Sequence, residues 1–172
     1  MCLTVIYLFL TEFYLIANKF TGWISYSYLD SKRKQYEAQN LAPSNFDITN
    51  TMSLVGSYNL TDAIVFGATL KMSTGEPFTP VIGSFFDSNQ GVYVPVYGET
   101  NSDRFPNYSR VDVNAQYIFS LLGKFTVAVL ALNNVFNQNN IYEYTYNYNY
   151  TEKREIITNN RRTVYVGLGM QF

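Results

Sequence analysis

Few side chains in this sequence are equipped for chemistry, and their spacing decides what they could do. Glu76 and Asp103 are the type of carboxylate pair that shares general acid–base work, but nothing in the sequence brings them together. Arg110 and Asp112 stand two apart, so on an extended segment they share a face. There they could hold a polar ligand or dock another part of a larger protein. The same pair more often ties neighbouring strands, and that structural role is the expected one. The run Tyr142 to Tyr150 alternates Tyr with Glu, Thr and Asn. It offers ring faces for stacking a carbohydrate or an aromatic chelate, and equally suits an interfacial aromatic belt or a loop. There is no His, and Cys2 is the only Cys. A Cys/His metal site and an internal disulfide are therefore excluded. With no Ser or Cys in a recognisable nucleophile setting, the expectation is no enzyme, no catalytic residue and no cofactor or metal. Asn59, Asn107 and Asn149 begin Asn-x-Thr/Ser triplets, short patterns to which no role is assigned.

The elements that would position these residues are strands. The last stretch places Val164, Val166, Leu168, Met170 and Phe172 on one side of an extended chain, with Thr163, Tyr165, Gly167, Gly169 and Gln171 on the other. Ile64, Phe66, Ala68, Leu70 and Met72 alternate with Val65, Gly67, Thr69, Lys71 and Ser73. Arg110, Asp112, Asn114 and Gln116 oppose Val111, Val113, Ala115, Tyr117 and Phe119, the strongest alternation in the chain. Strands are also expected over 11–17, 20–29 and 48–58. The segment 125–132 is apolar on both faces and cannot be oriented from sequence. Charged residues are 15%, against roughly 25% in soluble domains, while aromatics reach 17% and mean hydropathy is -0.09. Such a balance suits a membrane β-barrel, whose lipid-facing and lumen-facing residues cancel in the mean. The net charge of -1 leaves no basic footprint for nucleic acid.

Connections alternate in length. Short polar turns fall at Asn18-Lys19, Asn59 to Asp62 and Leu121 to Lys124, and long segments separate them. Outer-membrane barrels keep this rhythm, with short periplasmic turns and long extracellular loops. The expected fold class is all-β, an antiparallel up-and-down transmembrane β-barrel segment. Residues 1–10 form an apolar start that is left unassigned, with neither the basic flank nor the cleavage site of an export signal.

Four stretches, in order, resemble the last strands of TonB-dependent outer-membrane receptors. They are Thr21 to Leu29, Ser73 to Pro80, Phe105 to Asp112 and Asn133 to Asn140. The ending Tyr165-x-Gly167-x-x-Met170-x-Phe172 is similar to the signal by which outer-membrane barrels are recognised for assembly, with Met170 where an aromatic is usual. The resemblance covers residues 11–172. It implies the C-terminal portion of a receptor barrel, six or seven strands out of about 22. The family carries out energy-coupled uptake of siderophores, vitamins, glycans or peptides, and such a portion would not transport alone. Implied partners are outer-membrane lipid, the barrel-assembly machinery, the plug and remaining strands and, through them, the TonB energy-coupling complex. Two alternatives compete. One is an independent small outer-membrane barrel of about eight strands with a structural or adhesion role. The other is a soluble β-sandwich, in which Ile64, Phe66, Leu70, Val111, Val113 and Tyr117 would be buried by a second sheet.

Overall fold

The structure, a computed structural model, describes residues 3–34, 40–158 and 161–171. The strands are β1 (Leu3–Ala17), β2 (Phe20–Lys34), β3 (Ala42–Pro43), β4 (Asn50–Asn59), β5 (Ile64–Ser73), β6 (Pro77–Phe78) and β7 (Val81–Asp87). They continue with β8 (Val92–Tyr97), β9 (Asp103–Arg104), β10 (Tyr108–Leu121), β11 (Lys124–Asn133), β12 (Ile141–Tyr146), β13 (Lys153–Ile157) and β14 (Thr163–Met170). Seven of them form one antiparallel meander in chain order, β1-β2-β4-β5-β10-β11-β14, with β3 added beside β2. The chain is therefore all-β, with antiparallel sheets. Among the described residues β1 and β14 are not paired with each other, so the sheet is open.

Tight turns join β1 to β2, β4 to β5 and β10 to β11, all at one end of the sheet. The Leu122-Gly123 turn has φ of 52° and 74°, the left-handed pair of a type I′ hairpin, whose twist matches that of the flanking strands. At the other end, three long connections carry the remaining strands. β6 pairs with β9 and β7 with β8 between β5 and β10, while β12 pairs with β13 between β11 and β14. The long segments after residues 74 and 140 are thus not structureless. The hairpin β7–β8 turns through Asp87, whose carboxylate accepts the Asn89 N–H at 2.9 Å.

Register brings the alternation of the separate strands into line. Phe20 lies opposite Tyr58, Tyr58 opposite Phe66, Phe66 opposite Ala115, Ala115 opposite Leu130 and Leu130 opposite Val166. A second row runs through Ile24, Leu54, Leu70 and Val111. Because partners in a ladder share a face, one side of all seven strands is apolar. The ladder also orients β11: Ala128, Leu130 and Leu132 join the apolar face, and Val127, Val129 and Ala131 the other. The row that starts at the base of the first turn meets β10 at Ala115, six residues before its turn at Leu121. That slant is the stagger of tilted strands.

Two expectations change. Leu3 to Leu10, left unassigned from sequence, continue β1, pairing residue for residue with Lys34 to Ser27. The first long connection is shorter than expected from Asp30 onward, because β2 runs to Lys34 and β3 folds back on it at Lys32 and Arg33.

Apart from Pro77, no apolar side chain is buried among the described residues. The accessible surface is 12041 Å², against about 8,600 Å² for a folded monomer of this mass. Nothing like a second sheet covers the apolar face: Phe66, Val113 and Tyr117 remain 44%, 38% and 50% exposed. The sandwich expectation fails on this point, since a sandwich core would bury these residues.

Candidate functional site

The polar face of the sheet gathers its groups in the middle strands. Ser53 lies opposite Lys71 and Lys71 opposite Arg110; Thr69 lies opposite Asp112 and Gly67 opposite Asn114. Arg110 Nε donates to Asp112 Oδ1 at 2.7 Å, and the same oxygen accepts the Asn134 N–H at 2.7 Å. Both members of the pair are thereby engaged within the wall, β10 being fastened to the exit of β11. The Asn114 amide lies over Gly67, with Nδ2 2.6 Å from where a Cβ would stand. The bare Gly67 makes room for this amide, and an added Cβ would press only on the movable end of the Asn114 side chain. On the apolar face the Phe20 ring plays the corresponding part, covering the opposed pair Gly22 and Gly56 at 3.2–3.3 Å.

The stretch Asn133 to Asn140 acts as a knot. Asn134 is 1% exposed. Its side chain donates to Gln138 O at 3.0 Å and accepts the Gln138 N–H at 2.9 Å. Asn134 and Asn137 both have φ near 50°, the left-handed region that Asn tolerates better than most residues. Asn140 accepts the Ser109 N–H and donates to its carbonyl, both at 3.0 Å, so its amide replaces a ladder partner at the end of β10. Asn137 Oδ1 accepts the Arg162 N–H at 3.1 Å, bringing in the approach to β14. Asn134, Asn137 and Asn140 thus direct their side-chain amides to main-chain groups and position backbone.

Two further assemblies join the long connections. In the first, Asp47 has 4% of its side chain exposed and pairs with Arg104 Nη2, while accepting the Ser31 N–H at 2.7 Å. Arg104 Nη1 donates to Asp47 O at 2.6 Å and Gly75 O at 3.1 Å. Beside it, buried Asn101 donates through Nδ2 to Pro43 O at 2.7 Å and Asn45 Oδ1 at 2.8 Å. The second assembly is aromatic. Phe78 stacks on Phe105 at 4.6 Å, Tyr144 meets both at 5.2 and 5.1 Å, and Lys153 Nζ lies 4.1 Å over the Tyr144 ring. Ser84 Oγ donates to Asn149 O at 2.7 Å, and Tyr93 meets Tyr148 edge-on at 5.8 Å. The Tyr-rich hairpin is therefore docked on the neighbouring connection. Tyr148 and Tyr142 keep 81% and 53% of their surface exposed.

Of the carboxylates singled out in the sequence, Asp103 sits in β9 opposite Phe78, and Glu76 uses its carbonyl, which accepts the Phe105 N–H at 3.0 Å. No cluster of three or more His, Cys, Asp or Glu able to hold a metal occurs among the described residues. Tyr165, Gly167 and Met170 lie on β14, with Tyr165 and Gly167 on one face and Met170 on the apolar face. Phe172 lies outside the described residues. The groups missed in the sequence are Asp47, Asn101 and Arg104, whose partners stand up to 58 residues away. Comparison of the chain with protein-family models, curated proteins and solved structures returns no match.

Proposed function

We propose that this sheet is a wall segment of an outer-membrane β-barrel of the TonB-dependent receptor class, with its apolar face against lipid and its polar face toward the lumen. The observation that carries the proposal is the registration of apolar residues across seven strands onto one unburied face. In water such a face would be a severe liability, far above the roughly 300–600 Å² apolar patch of a typical monomer. In lipid it is the required surface. Strand length agrees: ten residues, as in β4, β5 and β11, extend about 34 Å. Tilted by about 45°, they cover about 24 Å, the height of a barrel's apolar band. The tight turns collect at one end and the long, strand-bearing connections at the other, as periplasmic turns and extracellular loops do.

Seven is an odd number of strands, so β1 and β14 run in the same direction. Joining them to each other would make a parallel pair, which an all-antiparallel barrel does not contain. This favours completion by further strands over an independent small barrel. On this reading the wall moves nothing alone. Uptake, energised through the plug and the TonB complex, belongs to the completed receptor, and the assembly signal comprises Tyr165, Gly167 and Met170 on β14 together with Phe172 two positions on in the sequence.

The test is orientation in a cell. Carried by an outer-membrane export leader in a Gram-negative host, the chain is expected in the outer-membrane fraction. Protease added to intact cells should cut between Tyr142 and Tyr150, and at Leu122-Gly123 only after the outer membrane is opened. Recovery in a soluble fraction, or equal cutting at both ends in intact cells, overturns the proposal.

A further inference from the structure

A cavity of about 360 Å³ opens where β3 folds back on β2, and Arg33, Leu41, Pro43, Glu99, Thr100 and Ser102 line it. That volume falls at the small end of ligand sites, which run roughly 300–1,000 Å³.

Its far wall is the turn from Glu99 to Ser102, closed by the Ser102 N–H to Glu99 O at 3.3 Å. Within this turn Asn101 has φ of 54° and is 7% exposed. A left-handed, non-glycine residue persists only where its surroundings hold it. Here the Asn101 N–H donates to Thr79 Oγ1 at 3.0 Å, and its amide donates to Pro43 O and Asn45 Oδ1. The side chain between Thr100 and Ser102 therefore anchors the turn to the opposite wall, while its neighbours line the cavity. The far wall is thus fixed in advance of any ligand, which lowers the ordering penalty of binding there.

Neither charge lining this cavity has an ion-pair partner among the described residues. Arg33 lies on β2 opposite Ala42, and its one polar side-chain contact among the described residues is to Asn45 Oδ1 at 3.4 Å, longer than an ordinary N–H···O bond. Glu99 has no ion pair or side-chain hydrogen bond among the described residues, and the two do not pair with each other. A guanidinium and a carboxylate lining one cavity, neither ion-paired among the described residues, are complementary to a ligand carrying both an anion and a cation. The hydroxyls of Thr100 and Ser102 add donors and acceptors, and Leu41, Ala42 and Pro43 add an apolar side.

We propose that this cavity binds a small zwitterion, a free α-amino acid with an apolar side chain. Its carboxylate is taken by Arg33, its ammonium by Glu99, and its side chain lies against Leu41, Ala42 and Pro43. The proposal goes beyond the receptor reading and does not depend on which solvent meets the sheet.

The test uses the full chain in detergent micelles with L-leucine as probe, read by titration calorimetry. Saturable binding is expected. 4-Methylpentanoate, which lacks the ammonium, and 3-methylbutylamine, which lacks the carboxylate, should each bind roughly tenfold or more weakly, since each forfeits one charge-assisted contact. Arg33→Gln and Glu99→Gln should weaken leucine to a similar degree. Arg33→Lys, which keeps the charge, should restore part of the loss and serves if Arg33→Gln fails to give the parent circular dichroism spectrum. The proposal is overturned if no saturation is seen up to about 10 mM, if single-charge analogues match leucine, or if neither neutral variant alters binding. Neither result bears on outer-membrane localisation, so the two readings fail separately.

Discussion

Gly75→Ala is the substitution for which the structure gives the sharpest expectation. Gly75 lies where the chain leaves β5, and its φ is unexceptional, so the demand is for space. A Cβ there would stand 2.5 Å from the carbonyl carbon of Phe105, nearer still to its oxygen, and 3.0 Å from Pro106 O. Each of these atoms is backbone, so no rotamer change relieves the overlap, and the two strands must part by about 1 Å or more to reach ordinary contact. That movement threatens the Phe105 N–H to Glu76 O bond of 3.0 Å and the Arg104 donation to Gly75 O of 3.1 Å. Overpacking of about 1–3 kcal/mol, with one or two hydrogen bonds at about 1 kcal/mol each, gives about 3 kcal/mol of local destabilisation. Hydrogen exchange with mass spectrometry, on peptides spanning residues 98–108, reads this directly. About 3 kcal/mol corresponds to roughly a hundredfold faster exchange where opening limits the rate. Gly167→Ala is the control, because a Cβ there meets nothing within 4 Å. Exchange at Phe105 in Gly75→Ala within threefold of the parent would show that the close approach of the backbone at Phe105 is not what requires glycine at 75.

Three further outcomes are expected. Asp47→Ala removes the partner of Arg104 and orphans the Ser31 N–H. Arg104 is 36% exposed and can rehydrate, so the loss should lie near about 2–3 kcal/mol, below the range for a fully buried pair. A double-mutant cycle with Arg104→Ala, read by exchange at Ser31, should show clear non-additivity. Leu122→Asn should stabilise the β10–β11 hairpin by about 1 kcal/mol, because Leu122 holds φ of 52° while 89% exposed and Asn-Gly is the preferred type I′ pair; denaturation midpoints measure it. Deletion of Phe172 should reduce the amount of chain assembled in the outer membrane by several-fold, whereas Met170→Phe should preserve or raise it; quantitative immunoblotting of membrane fractions distinguishes the two.

The alternating strands and tight turns were readable in advance because each depends on local pattern. Met52, Leu54, Gly56 and Tyr58 declare a face without reference to any neighbour, and Asn59 to Asp62 declare a turn. β11 was different. Apolar on both sides, it takes its orientation only from Ala115 opposite Leu130 and Leu130 opposite Val166. β1 was likewise illegible over Leu3 to Leu10, since only the pairing with β2 marks it as strand. The hairpin β7–β8 could have been found: Asp87-Ser88-Asn89-Gln90-Gly91 is a turn composition between two β-rich runs. The Asp47–Arg104 ion pair could not, because the two residues are far apart in sequence and each alone resembles an ordinary surface charge. Arg110 and Asp112 were expected to act structurally, and their pairing with each other and with the Asn134 N–H agrees with that.

Whether the apolar face of the sheet meets lipid is decided by fluorescence quenching. With Trp23 replaced by Phe, a single Trp is placed at Val113 on the apolar face or at Gln116 on the polar face of the same strand, in vesicles containing brominated lipid. A lipid-facing apolar side gives strong quenching for Val113→Trp and little for Gln116→Trp. Equal quenching at both positions, or none at Val113→Trp, would contradict it.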